Sequence, residues 1–176
     1  NKIETNVLRT LNKAGYKNFP KMIQSGKFHN RPGIVLEKFG LTLNNISNLK
    51  IVTSLSKPNS NWNIISFTYG ISPLHWMIYN DLKLDNICVG YPDESELDVL
   101  KLIDFGLATS YVLKENLFKE PLEDKYHIKE TTQDFQGNVA FCSPFSLRCK
   151  STSRRDDLYS ILYLMLYLNT NKIPFM

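Results

Sequence analysis

Cysteine and histidine are too scarce and too scattered for a disulfide framework or a zinc site. The chain has three of each. Cys88, Cys142 and Cys149 form no C-x-x-C pair and lie far along the chain from His29, His75 and His127. An odd, unpaired set reads as reduced thiols in an intracellular protein, of the cytoplasm or nucleus. A long apolar run is also missing. The longest, Leu158 to Leu168, is broken by Ser160 and falls short of the roughly 20 residues that a membrane-spanning helix needs. It reads instead as a core helix buried on all sides. No N-terminal stretch has the make-up of a signal peptide, so a membrane partner is not expected. Lys and Arg nowhere gather into a dense run, so the net charge of +4 does not argue for nucleic acid.

What is present suffices for one domain with a real core: 176 residues, 43% hydrophobic and 22% charged. Ile3, Val7, Leu8 and Leu11 recur at helical spacing, and Gly15 stands where a helix stops. This predicts a helix over Lys2 to Lys13. Its apolar arc of roughly 140° encloses Glu4. A carboxylate there needs a cationic partner, or else lies at a frayed helix start in water. Strand-like runs follow at Lys21–Phe28 and Gly33–Phe39, joined by His29-Asn30-Arg31-Pro32 as a four-residue turn. From Leu41 to Trp76, Pro58, Gly70 and Pro73 oppose a long helix, and one short helix is expected near Asn63–Tyr69. Two short strands, Ile87–Val89 and Val99–Ile103, flank an acidic linker. Ala108 to Gly137 is a long polar loop without period, of the kind that usually serves a function. Ser153-Arg154-Arg155-Asp156 forms a capping box before the last apolar run.

Two motifs carry chemistry. Asp81-Leu82-Lys83-Leu84-Asp85-Asn86 fits D-x-K-x-x-N, and Asp104-Phe105-Gly106 fits D-F-G after an apolar strand. Phosphoryl transfer needs a carboxylate at the attacking hydroxyl, a cation near the γ-phosphate, and oxygen ligands for Mg²⁺. Asp81 suits the first task and Lys83 the second. Asn86 and Asp104 are hard oxygen donors suited to the third. D-F-G alone is a weak signal and D-x-K-x-x-N alone a moderate one, but their order and the strand hairpin between them make the combination specific.

From Ile3 to Phe175 the chain resembles a eukaryotic protein kinase domain, an α+β fold of two lobes. The resemblance implies ATP and Mg²⁺ as cofactors. It makes residues 1–39 part of an N-lobe, from helix C through strand five and the hinge, and residues 40–176 part of a C-lobe. Glu4 matches the helix C glutamate that pairs with a lysine on strand three. In Ile34-Val35-Leu36-Glu37-Lys38-Phe39-Gly40, Leu36 matches the gatekeeper, and the backbone of Glu37 and Phe39 would hold adenine. Cys88 would floor the adenine pocket, with Ile103 behind the phosphates. Asp157 matches the helix F aspartate that grips the catalytic-loop backbone.

Ser153-Arg154-Arg155-Asp156-Asp157-Leu158 is similar to the S-R-R-D-D-L stretch of the casein kinase I group, and Asp104-Phe105-Gly106-Leu107-Ala108 to its D-F-G-L-A. Gly137-Asn138-Val139-Ala140-Phe141-Cys142-Ser143 stands where that group has G-T-A-R-Y-A-S. Asn138 thus replaces a threonine that bonds the catalytic Asp and Lys, and its amide can substitute. Arg148, Lys150, Arg154 and Arg155 match a region that favours acidic or pre-phosphorylated protein substrates; as plain chemistry they are a solvated basic surface with a local ion pair to Asp156. Tyr79-Asn80 replace the His-Arg before the catalytic Asp, which removes a partner for a loop phosphate.

The expectation is therefore a monomeric serine/threonine kinase, with a non-catalytic docking module as the alternative. The stretch is expected to be a fragment cut at both ends. It contains no glycine-rich loop before Glu4 and no strand-three lysine, so its ATP site is expected to be incomplete for activity.

Overall fold

The α1 helix, Lys2–Lys13, has the predicted bounds and buries Val7, Leu8 and Leu11. Ile3 is 50% exposed, so the apolar arc reaches the core only after the first turn. Gly15, at φ +74°, ends the helix in the left-handed region. Asn12 then ties down the departing chain: its Nδ2 donates to the Pro20 carbonyl and its Oδ1 accepts the Met22 N–H, both at 2.7 Å. The computed structural model describes residues 2–48, 77–91, 99–110 and 134–173. The helix expected near Asn63–Tyr69, the acidic linker and most of the long polar loop lie outside the described residues. The chain divides into two compact units, Asn1–Ile71 with Leu84–Gly106, and Ser72–Lys83 with Leu107–Met176.

In the first unit, β1 (Met22–Phe28) and β2 (Arg31–Leu36) pair antiparallel. Their turn is two residues, not the four expected. His29 and Asn30 both take positive φ, +48° and +62°, as a turn matched to strand twist requires. Pro32 therefore lies inside β2, opposite Lys27 and next to the closing Phe28–Arg31 pair. Alternation along the ladder makes Lys27–Pro32 a non-hydrogen-bonded pair, so the missing N–H costs no bond.

Beyond β2, residues 40–42 run beside β4 (Ile87–Val89). Gly40 N–H donates to Val89 O at 2.9 Å and Val89 N–H to Leu41 O at 3.0 Å. A Cβ on Gly40 would stand 2.7 Å from Gly90 O, which explains the glycine. A short helix, α2 (Leu43–Asn48), follows where no helix was foreseen. Its start carries a reciprocal Thr42–Asn45 cap: Asn45 N–H donates to Thr42 Oγ1 at 3.1 Å, and Asn45 Oδ1 accepts the Thr42 hydroxyl at 2.7 Å. β4 pairs antiparallel with β5 (Leu100–Leu102), one residue shorter at each end than expected. Asn18 latches β5 from its open side, accepting Leu102 N–H and donating to Leu100 O. Leu8, Leu11, Phe19, Leu102 and Phe105 are buried in this unit's core.

In the second unit, β3 (Met77–Ile78) pairs antiparallel with β6 (Thr109–Ser110). The first residues of the polar loop are therefore a strand, not aperiodic chain. The four-residue α3 (Pro144–Leu147) was not foreseen either, although its signal is present: Ser143 Oγ caps Ser146 N–H at 3.1 Å, and Pro144 occupies the first helical position. The last helix, α4 (Arg154–Thr170), begins at the predicted box, with Asp156 Oδ2 accepting the Ser153 N–H at 2.7 Å. Asn171, at φ +52°, ends it.

α4 is not buried on all sides. Asp156, Ser160, Ile161 and Leu164 form its buried stripe, while Leu158 and Leu162 are 60% and 50% exposed. Among the described residues only one face of α4 is buried, and the Ser160 hydroxyl on that face is satisfied by Asp156 O at 3.2 Å. Among the described residues no helix is long and apolar enough to cross a membrane.

Candidate active site

The D-x-K half of the first motif lies in the second unit. Asp81 is buried, and Lys83 Nζ stands 2.7 Å from its Oδ2. Lys83 keeps 26% of its side chain exposed against 8% for Asp81, so the pair opens toward solvent at the ammonium. The loop before Asp81 is held by its backbone. Tyr79 N–H donates to Asp157 Oδ2 at 2.7 Å and Asn80 N–H to Asp157 Oδ1 at 3.0 Å. This is the grip expected of Asp157. Burial of its carboxyl raises the pKa to about 6, against the two N–H bonds, and the neighbouring Asp156 adds to the rise. Asn80 takes φ +69°, which the short Asn side chain tolerates. Its carbonyl packs on Gly137, at φ +104°, where any Cβ would overlap the Asn80 oxygen.

The other expected substrate residues follow in the same unit. Asn138 uses its Oδ1 on the Ala140 N–H at 2.8 Å. Arg148, Lys150, Arg154 and Arg155 are all exposed. Arg155 lays its guanidinium over the Phe145 ring, 3.6 Å from the centroid, and reaches Asp156 Oδ2 at 3.5 Å. Lys150 borders a shallow, open pocket with Asn80, Gln136 and Cys149 among its other walls.

The remaining motif residues lie in the first unit. Asn86 is buried at the end of a 3-10 turn, Leu84–Asn86, which Asn44 holds through Asp85 Oδ1 at 2.8 Å. Ile103 N–H donates to Asn86 O at 2.9 Å, continuing the β4–β5 ladder by one step. Asn86 and Asp104 therefore bracket the same end of that ribbon. Asp104 is exposed, takes φ +59° and accepts Gly106 N–H at 3.0 Å on Oδ1. Phe105 is fully buried against Phe19, with ring centroids 6.0 Å apart, which anchors the turn. Glu4 is half-buried, and its carboxyl is pushed up first by burial and then by the charge of Asp104. The anion Asp104 thus adds to the effect of burial on Glu4, while the N-terminal charge opposes it.

Among the described residues no three His, Cys, Asp or Glu side chains could hold a metal alone. Asn86 and Asp104 fit Mg²⁺ differently, because that ion commonly takes one or two protein oxygens and completes its shell with phosphate and water.

The expected adenine-binding stretch follows β2. Leu36 and Phe39 are half-buried. Glu37 N–H donates to Lys21 O, and its carboxylate meets the buried Lys101 at 2.6 Å. Among the described residues Phe39 N–H has no backbone partner. Cys88 is buried in β4 with its thiol pKa raised by burial, and Ile103 is half-buried.

Three features were not foreseen. The Asn80 amide bonds Leu107 O and Thr109 Oγ1. Asp156 is buried and also accepts the Ser143 hydroxyl. Lys101 and Glu37 form a buried ion pair. Only the last had a sequence signal, a lysine alone in an apolar strand.

The protein kinase domain family model matches residues 5–176. A casein kinase I homolog of Kluyveromyces lactis is 29% identical over 101 residues, 57% of this chain and 17% of that protein. An inactive tau-tubulin kinase of Caenorhabditis elegans is 23% identical over 185 residues, covering 97% of this chain and 60% of its own length. A probable serine/threonine-protein kinase of Dictyostelium discoideum is 24% identical over 175 residues, 98% of this chain and 33% of that protein. The chain thus spans less than two thirds of these relatives. With the family model running across both motifs and the α4 anchor, the chain belongs to the protein kinase family.

Proposed function

We propose that the chain is the core of a serine/threonine protein kinase of the casein kinase I type, which transfers the γ-phosphate of ATP to protein substrates. The observation that carries this reading is the Asp81–Lys83 pair in a loop held by Asp157. In the proposed reaction a Ser or Thr hydroxyl oxygen bonds to the γ-phosphorus. The bond from that phosphorus to the β–γ bridging oxygen breaks, ADP leaves, and the hydroxyl proton passes to Asp81. Lys83 neutralises charge on the transferred group. Asn86 and Asp104 would hold Mg²⁺, which supplies charge neutralisation at the phosphates. The Glu37 carbonyl and Phe39 N–H would meet the adenine edge, between Leu36, Cys88 and Ile103, with Glu4 ordering the phosphate side.

The casein kinase I type rests on the Ser153–Leu158 stretch and on the similarity to casein kinase I homologs. The exposed cluster of Arg148, Lys150, Arg154 and Arg155, with Asn138 before it, suits acidic or pre-phosphorylated segments.

The test is γ-phosphate transfer by the complete protein to casein and to an acidic Ser/Thr peptide. Asp81→Asn should lower kcat by roughly 10²–10⁴-fold, the usual weight of a general base. A folded wild-type protein with no transfer would favour a non-catalytic docking module. That second reading draws on the likeness to an inactive kinase and on Asn80 standing where kinases carry Arg.

A further inference from the structure

We propose that Asn44, in α2, is a positioning residue for Asn86: through Asp85 it fixes the turn that presents Asn86 to a metal ion. The metal role of Asn86 rests on the proposed function; the tie itself rests on geometry within the first unit. A 3-10 helix of three residues, Leu84–Asn86, has too few bonds to hold its own direction. Its Asn86 end is secured, because Asn86 O accepts the Ile103 N–H at 2.9 Å and β4 begins at the next residue. One residue earlier Asp85 is exposed, and its Oδ1 accepts Asn44 Nδ2 at 2.8 Å. An ionised carboxylate can only accept, so the NH₂ group of Asn44 must face it, in a charge-assisted bond.

Asn44 can hold the turn because α2 has other anchors. Leu43 and Ile46 are buried. The Thr42–Asn45 cap fixes the first turn of α2, and Thr42 forms an antiparallel bridge with Cys88. Beside that bridge Leu41 O accepts the Val89 N–H. These ties close a ring. It runs from Asn86 along β4 to Cys88, across the bridge to Thr42, into α2 at Asn44, and back through the side-chain bond to Asp85. The turn cannot rotate within this ring without breaking the Asn44–Asp85 bond or the pairing of β4. An exposed bond of this kind adds little to overall stability. Its loss should therefore move the turn and leave the chain folded.

The experiment measures the binding of Mn²⁺, as a probe for Mg²⁺, to the complete protein with a non-hydrolysable ATP analogue. Loss of the free-ion electron paramagnetic resonance signal reports it. Asn44→Ala should weaken Mn²⁺ binding about threefold to tenfold, below the roughly 10–100-fold that follows loss of a group bonded directly to a metal ligand. Asn44→Asp sets one carboxylate against another and should weaken it at least as much, despite the added negative charge. A purely electrostatic role would instead tighten it. Adding Asp85→Asn to Asn44→Asp faces a donor with an acceptor again, in the opposite sense and at unchanged net charge. That double variant should recover most of the affinity. Binding of the analogue without metal should stay level in every variant, which a general loosening of the fold would not allow. Equal weakening with and without Mn²⁺, unchanged or tighter Mn²⁺ binding in Asn44→Asp, or a double variant no better than Asn44→Asp overturns the proposal.

Amide hydrogen exchange at Ile103, whose N–H is bonded to Asn86 O, is a second readout that needs no ligand. It should quicken in Asn44→Ala and in Asn44→Asp, and slow again in the double variant. If Asn44→Asp fails to fold, Asn44→Ala decides by both measurements. If the wild-type protein binds neither the analogue nor Mn²⁺, the kinase reading fails. Exchange at Ile103 then decides whether Asn44 holds the turn, and an unchanged rate in Asn44→Ala overturns it.

Discussion

Asp157, in the first turn of α4, accepts the Tyr79 N–H on one carboxylate oxygen while the other takes the N–H of Asn80. One side chain thus fixes the two residues that precede Asp81, and the site's geometry is inherited from a helix start.

A pH dependence follows from that burial. Asp157 titrates near 6 in the fold, above its ordinary 3.8, because burial disfavours the charged form more than the two bonds favour it. The folded state therefore holds the proton more tightly than the unfolded one. The stabilisation is complete below about pH 4 and is lost as pH rises through 6, on the order of 3 kcal/mol in all. Thermal unfolding across pH 4 to 7 should show this fall. Asp157→Asn should flatten the slope: near pH 4 it should lower stability by about 1–2 kcal/mol, since one N–H loses its acceptor, and toward pH 7 that loss should shrink or reverse, since the buried charge is gone. A slope unchanged in Asp157→Asn would assign the effect elsewhere.

The buried pair of Lys101 and Glu37 makes a different prediction. Glu37→Ala leaves the Lys101 ammonium buried without its carboxylate and should cost about 3–5 kcal/mol. The double change Lys101→Met with Glu37→Leu should recover most of that, because well-packed apolar groups of similar volume often replace such pairs at little loss. Urea midpoints of the three proteins give the comparison. Equal destabilisation by the single and double changes would mean that packing, not charge, dominates at this position.

How far the sequence predicts these features depends on how local each one is. α1, the β4–β5 pair and the capping box at Ser153 follow from spacing within a few residues. So does the Asp157 anchor, once the motif match places it. The two-residue turn at His29-Asn30 was not legible, because Pro32 reads as a turn residue unless the ladder register is known. β6 was missed because two residues carry no period, and its partner, Met77–Ile78, lies some thirty residues earlier. The exposed side of α4 was hidden by composition: Leu158 and Leu162 look like core residues until the buried stripe is seen to run through Asp156 and Ser160. The Asn80 side chain reads in sequence only as a lost arginine. Its bonds need tertiary structure to be seen.

Gly137 tests the support beneath the loop that carries Asp81. At φ +104° with the Asn80 carbonyl against its Cα, it has room for no side chain. Gly137→Ala should destabilise by about 1–3 kcal/mol through strain and overlap. It should also lower phosphate transfer beyond the folded fraction lost, since the displaced residue is next to Asp81. Gly26, which has open space around it and no positive φ, is the control; Gly26→Ala should change neither quantity appreciably.

Asp156 and its neighbour Arg155 give the last contrast. Asp156 is 5% exposed and gathers four donors: the Ser143 hydroxyl, the Ser153 N–H at 2.7 Å, the Ser153 hydroxyl at 3.1 Å and Arg155 Nη2 at 3.5 Å. It therefore starts α4 and joins that start to the cap of α3. Arg155 is the weakest of these partners: its side chain is 49% exposed and its distance is the longest. Exposed ion pairs contribute about 0–1 kcal/mol, whereas loss of a helix cap costs about 0.5–2 kcal/mol and an orphaned buried donor about 1–3 kcal/mol. Asp156→Ala should thus destabilise by roughly 2–4 kcal/mol on those terms. Arg155→Ala should cost about 1 kcal/mol or less, mostly from its stacking on Phe145. Asp156→Asn should fall between them, because one amide oxygen can serve Ser153 or Ser143 but not all the donors. Chemical denaturation of the three variants measures this order. An Arg155→Ala loss equal to that of Asp156→Ala would make the ion pair, and not the hydroxyl and cap bonds, the main tie at the start of α4.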